Sequence, residues 1–220
     1  MDSKSAEGGG RPVGRLAFAE LNLRRNPFGE VPDVERGALA VLDVGPWREF
    51  LKQERAYLEF LGEAGRGKST RLHALRGHFP EAPYCYFPED GPFPEIPERA
   101  PTLFLDETWR LGWWTRRRLL RGGSRLICAT HHSHARAARR AGRPVMSVTV
   151  EGLEPELLRA IIVRRVEAAR RGGGAVPEVP ETRIRALIAR HGDALRAIEY
   201  DLYDDFEALR RGQNPWPRQT

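Results

Sequence analysis

The sequence predicts an α/β protein, a parallel sheet covered by helices on both faces, followed by a small all-helical part. Three observations carry this reading. Between residues 56 and 150, short apolar runs alternate with helical patterns, as successive βαβ crossovers require. A glycine-rich stretch, Gly62 to Ser69, lies between the first of these runs and the helix after it. Beyond Val150 the strand-like runs stop and only amphipathic helical patterns remain.

Taken in order, Leu16–Leu23 has the character of one or two helical turns, and Asn26-Pro27-Phe28-Gly29 that of a loop. Ala38–Val44 is an apolar run expected as a strand, and Pro46 starts a short helix that reaches Gln53. Strands are expected at 56–61, 83–87, 102–105, 124–129 and 145–150. Helices are expected at 68–78, from 108 to about 121 with an interruption at Gly112, and at 132–141. A proline-rich loop holds Pro88, Pro92, Pro94, Pro97 and Pro101. Near-continuous apolar runs, rather than alternating ones, mark strands buried on both faces. Three amphipathic helices follow at 155–171, 182–190 and 193–211, the first ended by Gly172-Gly173-Gly174.

At 220 residues the chain is long enough for one real core and an appendage. No window holds 18 consecutive apolar residues, so no membrane span is expected. The first residues lack the apolar stretch of a secretory signal. Cys85 and Cys128 lie far apart, each in an apolar run. They fit two buried free thiols in a reducing cytoplasm better than a disulfide or a zinc site.

The stretch Gly62-Glu63-Ala64-Gly65-Arg66-Gly67-Lys68-Ser69 matches G-x-x-x-x-G-K-[ST] in full. Glycines let backbone N–H groups turn inward on a phosphate, and the helix that opens at Lys68 adds its dipole. Lys68 is suited to the β- and γ-oxygens, and Ser69, followed by Thr70, to a magnesium ion. By chance the pattern is expected on the order of 0.002 times in such a chain. Only three of the 36 basic residues are lysine (Lys4, Lys52 and Lys68). A lysine here answers the need for a compact ammonium where a guanidinium does not fit. A second signal is Leu103-Phe104-Leu105-Asp106-Glu107, an apolar strand ending in two carboxylates. Asp106 is the candidate for magnesium opposite Ser69, and Glu107 the candidate base for an attacking water.

These two motifs, the strand between them and the helical appendage resemble AAA+ ATPases. The stretches Leu21–Gly29 and Phe60–Lys68 are similar to small bacterial ATPases related to type II secretion and transposition regulators. The resemblance covers about residues 20–210. It implies an ATP-binding, ATP-hydrolysing P-loop NTPase with a three-layer αβα core, whose parallel sheet has the order 5-1-4-3-2, and a small C-terminal all-α lid. The expected organisation is a disordered tail over 1–15, the ATPase core over 16–151, the lid over 152–212 and a tail over 213–220. Cys85 and Cys128 then lie on strands 2 and 4, separated by strand 3. Thr130 is implied as the polar sensor of the attacking water, and Asn26 and Phe28 as lining the adenine end. Arg196 is implied as the lid arginine, although it follows Gly192 by four positions where the family uses three. No DNA-reading domain is expected after the lid. A GTPase would need an N/T-K-x-D motif and an ABC-type ATPase a signature loop, and neither is present. A small-molecule kinase fits less well, since it rarely needs the D-E strand end.

The net charge of +6 is unevenly placed: Thr108–Val150 holds ten arginines and no Asp or Glu, carrying +10, so the rest sums to −4. Such a window attracts phosphate or an acidic surface. Within it Arg136, Arg139, Arg140 and Arg143 lie at the helix where AAA+ rings present an arginine to a neighbour's γ-phosphate, with Arg139 and Arg140 the best placed. Residues 109–143 also combine Trp109, Trp113 and Trp114 with arginines, compatible with nucleic acid. The favoured reading is that Trp109 and Trp113, at i and i+4, pack into the core or a subunit interface. His131, His132 and His134 lack the further ligands of a metal set, and one of them is expected to help position the sensor region. The leading expectation is a cytoplasmic homo-oligomer that couples ATP turnover to a conformational change on a protein partner still to be identified. In it, the basic window meets a neighbour's acidic last helix (Glu199, Asp201, Asp204, Asp205, Glu207). The alternative is a nucleotide-dependent switch or nucleic-acid adaptor with little turnover.

Overall fold

A computed structural model describes residues 17–216; the tail expected over 1–15 and the last four residues lie outside the described residues. Five strands form one sheet: β1 (Tyr57–Leu61), β2 (Tyr84–Tyr86), β3 (Thr102–Asp106), β4 (Arg125–Thr130) and β5 (Val145–Thr149). All pairs are parallel and the order is β2-β3-β4-β1-β5, the expected 5-1-4-3-2 read from the other edge. Leu61 is level with Thr130 and Thr149, and Leu105 with Cys128. The loops after β1, β3 and β4 therefore leave the same sheet edge, where open α/β sheets carry their ligands.

Period-two alternation along the strands divides the core. Leu58, Phe60, Phe104, Ile127 and Ala129 face α2 (Gly45–Phe50) and α3 (Lys68–Arg76), which contributes Leu72 and Leu75. Tyr57, Leu103, Leu105, Leu126 and Cys128 face the other way, against Leu120 of α4 (Trp113–Arg121) and Ala138 of α5 (Ala135–Arg140). Both cysteines are buried and free, on strands separated by β3, and burial raises both thiols. Glu59 is the polar exception within β1. Its buried carboxylate accepts from Ser133 Oγ (2.5 Å), Ser147 Oγ (2.7 Å), the Tyr57 hydroxyl (3.1 Å) and His134 N (2.9 Å). These four donors satisfy a charge that would otherwise be costly to bury, and they tie the loop after β4 to the central strand.

The run Ala38–Val44 forms no strand. After the short α1 (Asp33–Arg36), Leu39 to Leu42 line a cavity beside the glycine-rich loop, and Arg164 donates to Ala40 O. A short apolar run suits a cavity wall as well as a strand, and pattern alone does not separate them.

Helices α6 (Pro155–Ala169), α7 (Glu181–His191) and α8 (Leu195–Arg210) share a core of Leu158, Ile162, Ile184, Leu187, Ile198, Leu202 and Phe206. The segment Phe18–Phe28 packs into this same core, with Phe28 5.4 Å from Phe206. Trp216 folds back onto it, donating from Nε1 to Asp205 at 3.0 Å.

Arg143 is not a surface arginine. Its buried guanidinium donates to five carbonyls at 2.7–2.8 Å: Leu119, Leu120 and Gly122 at the end of α4, Ser124, and Arg55 before β1. Burial, with Arg55 nearby, pushes its pKa down to about 10. The geometry makes it the C-terminal cap of α4 and takes it out of the group of exposed arginines on α5. Arg143→Ala is expected to lower unfolding stability by roughly 3 kcal/mol, since several buried carbonyls lose their donor. Arg143→Lys should not restore it, because one ammonium cannot span the fork. Urea melts check both; a midpoint within error of wild type would refute the cap.

Candidate functional site

The glycine-rich loop connects β1 to α3 at the sheet edge just defined. A Cβ on Gly62 would stand 2.7 Å from Val150 O, so only glycine lets β1 turn away beneath the end of β5. Gly67 caps α3 in the left-handed region at φ 88°, which aims the first amides of the helix into the loop. Lys68 Nζ lies within the curl, donating to Gly62 O and Glu63 O, both at 2.9 Å. Burial pulls the Lys68 ammonium below the ordinary lysine value; Glu107, Asp106 and Glu63 oppose that, and Arg196 reinforces it. Ala64, Gly65, Arg66, Ser69 and Thr70 line the neighbouring cavity of 1270 Å³.

Asp106, buried at the end of β3, is oriented by the Tyr84 hydroxyl, which donates to Oδ2 at 2.6 Å, and by Glu107 N, which donates to Oδ1 at 3.0 Å. Glu107 itself adopts a left-handed backbone, φ 62°, rare for a residue with a side chain. Its Oε2 accepts from Trp109 Nε1 at 2.6 Å and lies 3.5 Å from His131 Nε2. The same His131 nitrogen is 3.5 Å from Lys68 Nζ. Lysine, histidine, glutamate and tryptophan thus form one connected set at the mouth of the loop.

Thr130 ends β4 fully buried, and its hydroxyl is committed to a local turn. It donates to His132 O (2.9 Å) and accepts from His132 N (3.3 Å). The side chain that reaches Lys68 and Glu107 from this loop is that of His131. Sequence reading places a histidine near the sensor region without identifying which one. It gives Trp109 a packing or nucleic-acid role, not a contact with Glu107. The single signal for Trp109 is its position two residues after Glu107, at the strand end.

The cavity's other wall comes from the helical part. Arg196, at the start of α8, donates its amide to Gly65 O at 3.3 Å and lines the cavity. Arg66 pairs with Asp193 at 3.2 Å, and Asp193 also accepts from Gly152 N. Phe28 lines the cavity beneath the Arg165 guanidinium. Asn26 turns the other way: its amide donates to Tyr203 O and Glu207 Oε1, and its carbonyl oxygen accepts from Phe28 N. Arg139 and Arg140 are exposed at the end of α5. That end is joined by Arg55, which precedes β1 and donates to Ala141 O, so both lie toward the sheet edge opposite their own glycine-rich loop.

Two expectations are corrected. Trp109 and Trp113, expected in the core or a subunit interface, are not in the core: both are exposed, as is Trp114. Gly112 breaks the helix between Trp109 and Trp113, so the i, i+4 relation does not exist, and Leu111 and Leu120 fill the core instead. The acidic residues of α8 are mostly paired within the chain. Glu199 meets Arg165, Asp201 meets Arg190 and His191, Asp205 meets Arg183, and Glu207 meets Arg210. They do not form a free acidic face for a neighbour.

A five-stranded parallel sheet of this order, with a glycine-rich loop after its first strand and helices after its fifth, has the three-layer αβα fold of P-loop NTPases. No family model and no curated protein matches the sequence. Among solved structures the chain is similar to AMPPCP-bound DnaA from Aquifex aeolicus, with a TM-score of 0.50 and 15% identity over 83% of this chain. It spans 65% of that chain's length. At this identity the likeness is one of fold. No helix among the described residues is long and apolar enough to cross a membrane.

Proposed function

We propose that the chain is a magnesium-dependent ATPase that binds ATP on the Gly62–Thr70 loop and couples its hydrolysis to a conformational change on a macromolecular partner. The observation that supports this most is the convergence of Lys68, Asp106, Glu107 and His131 at a loop whose far side is closed by Arg196. The residues fit a triphosphate and its metal. Gly62 lets the chain turn where a Cβ would meet Val150 O, Gly67 opens α3 at a positive φ, and Ser69 lines the cavity beside them. Ser69 and Asp106 would hold magnesium, which when bound neutralises charge on the β- and γ-phosphates. Lys68 releases the loop carbonyls and turns to the phosphates, whose charge offsets the burial of its ammonium. Glu107 Oε2 is held by Trp109 and His131, leaving Oε1 as the oxygen that takes a proton from the attacking water. Arg196, on the lid, reports the nucleotide to α6–α8, and Phe28 walls the base end. The chain works as a homo-oligomer, with Arg139 or Arg140 meeting a neighbour's γ-phosphate. Lys68→Ala is expected to abolish binding of ATP and of AMPPCP in calorimetry; retained tight binding would overturn the proposal.

One observation favours the second reading, a nucleotide switch with little turnover. The Thr130 hydroxyl is closed onto His132, so it does not present itself to a water. Single-turnover measurement separates the two, since a switch retains unhydrolysed ATP over many minutes.

A further inference from the structure

Helix α4 presents a face that the site described above does not use. Trp114, Arg117, Arg118 and Arg121 recur at i, i+3, i+4 and i+7, so they share one side of the helix. Leu120, which anchors α4 to the sheet, lies away from it. Trp114 is 76% exposed and Trp113 beside it 54%, with ring centroids 4.3 Å apart and the Arg117 guanidinium 5.1 Å from the Trp113 ring. Exposing two indoles to water is unfavourable unless something covers them. Over about 10 Å of helix the face runs from aromatic rings to three guanidinium groups. Among the described residues, the acidic side chain against it is Glu98, 3.5 Å from Arg118 in a pair where both partners are largely exposed, which contributes little.

A second copy of the chain is a poor occupant, because the acidic residues of α8 are mostly paired internally. What complements rings followed by closely spaced arginines is a ligand with flat faces and regularly spaced negative charge. We propose that the outward face of α4 binds single-stranded nucleic acid, with unpaired bases stacking on Trp113 and Trp114 and phosphates meeting Arg117, Arg118 and Arg121. Duplex is disfavoured, since its bases are already stacked and the face offers no groove-reading side chain. This inference is independent of the ATPase reading: it uses none of the residues assigned to ATP and is measured without nucleotide.

The test is fluorescence anisotropy of a labelled 20-nucleotide oligodeoxythymidylate with the full chain, at several salt concentrations. The wild type is expected to bind. Trp113→Ala/Trp114→Ala should weaken binding at least tenfold, and Arg117→Ala/Arg118→Ala/Arg121→Ala should reduce the salt slope by about 2. Both variants should keep the wild-type melting temperature and ATP affinity, so lost binding will not reflect misfolding or failure of the nucleotide site. Absence of binding at 100 mM salt would overturn the proposal. So would wild-type affinity in the tryptophan variant, or equal affinity for a duplex of the same length. Tighter binding to polyglutamate or to anionic phospholipid vesicles than to the oligonucleotide would also overturn it, in favour of an acidic protein or a lipid surface.

Discussion

Glu107→Gln is expected to bind ATP with near wild-type affinity while turnover falls by about 10²–10⁴-fold, the usual share of a general base. The amide keeps the size of the carboxylate and leaves Asp106 on Tyr84 and the backbone, so the groups that would hold the metal stay in place. What is lost is the basic oxygen. Its partners sharpen the expectation, because Trp109 and His131 both meet Oε2. The glutamine oxygen can still accept the indole N–H, so the side chain keeps its position while its chemistry changes. Rates and affinity measured on the same preparation distinguish this from general damage: affinity and kcat falling together would indicate a disturbed site. Unchanged turnover would mean that another group takes the proton.

The largest effect is expected for an arginine acting between subunits. If Arg139 or Arg140 completes a neighbour's site, its alanine variant should leave ATP affinity nearly intact and lower turnover by about 10³-fold or more, because the guanidinium meets charge that develops in the transition state. The structure bears on this through position. Both side chains are exposed at the far end of α5, near the sheet edge where Arg55 bonds Ala141, so action on their own glycine-rich loop would require a long reach. A subunit inactive through Lys68→Ala, mixed with one inactive through Arg140→Ala or Arg139→Ala, should regain activity, since each supplies what the other lacks. Specific activity of the wild type should also rise with concentration. No rescue with either arginine variant, together with activity independent of concentration, would leave a monomeric switch.

The contrast between Arg139 and Arg143 shows where sequence reading ends. Both stand in the same basic window, yet one faces solvent and the other donates to five buried carbonyls. The tryptophans show the same limit. A regular i, i+4 spacing carries Trp109 and Trp113 to one helix face on paper, but Gly112 interrupts the helix and leaves both exposed. Ala38–Val44 likewise satisfies a strand pattern and becomes part of a cavity wall.

The order of elements, the parallel sheet, the glycine-rich loop and the paired carboxylates at a strand end are all legible in the residues alone. Each of these is written in contiguous residues: periodicity sets the element type, and glycines with a lysine at fixed offsets set the loop. What those residues touch emerges only on folding. Parallel pairing of β1 with β4 and of β4 with β3 brings Lys68, Glu107 and His131 together from widely separated parts of the chain. It also places Glu59 beneath the loop that carries His131 and pairs most of the α8 carboxylates with arginines and a histidine of their own chain. Burial and charge pairing depend on which segments pack against one another, and that packing follows from register and layer order, which no local pattern of residue types encodes.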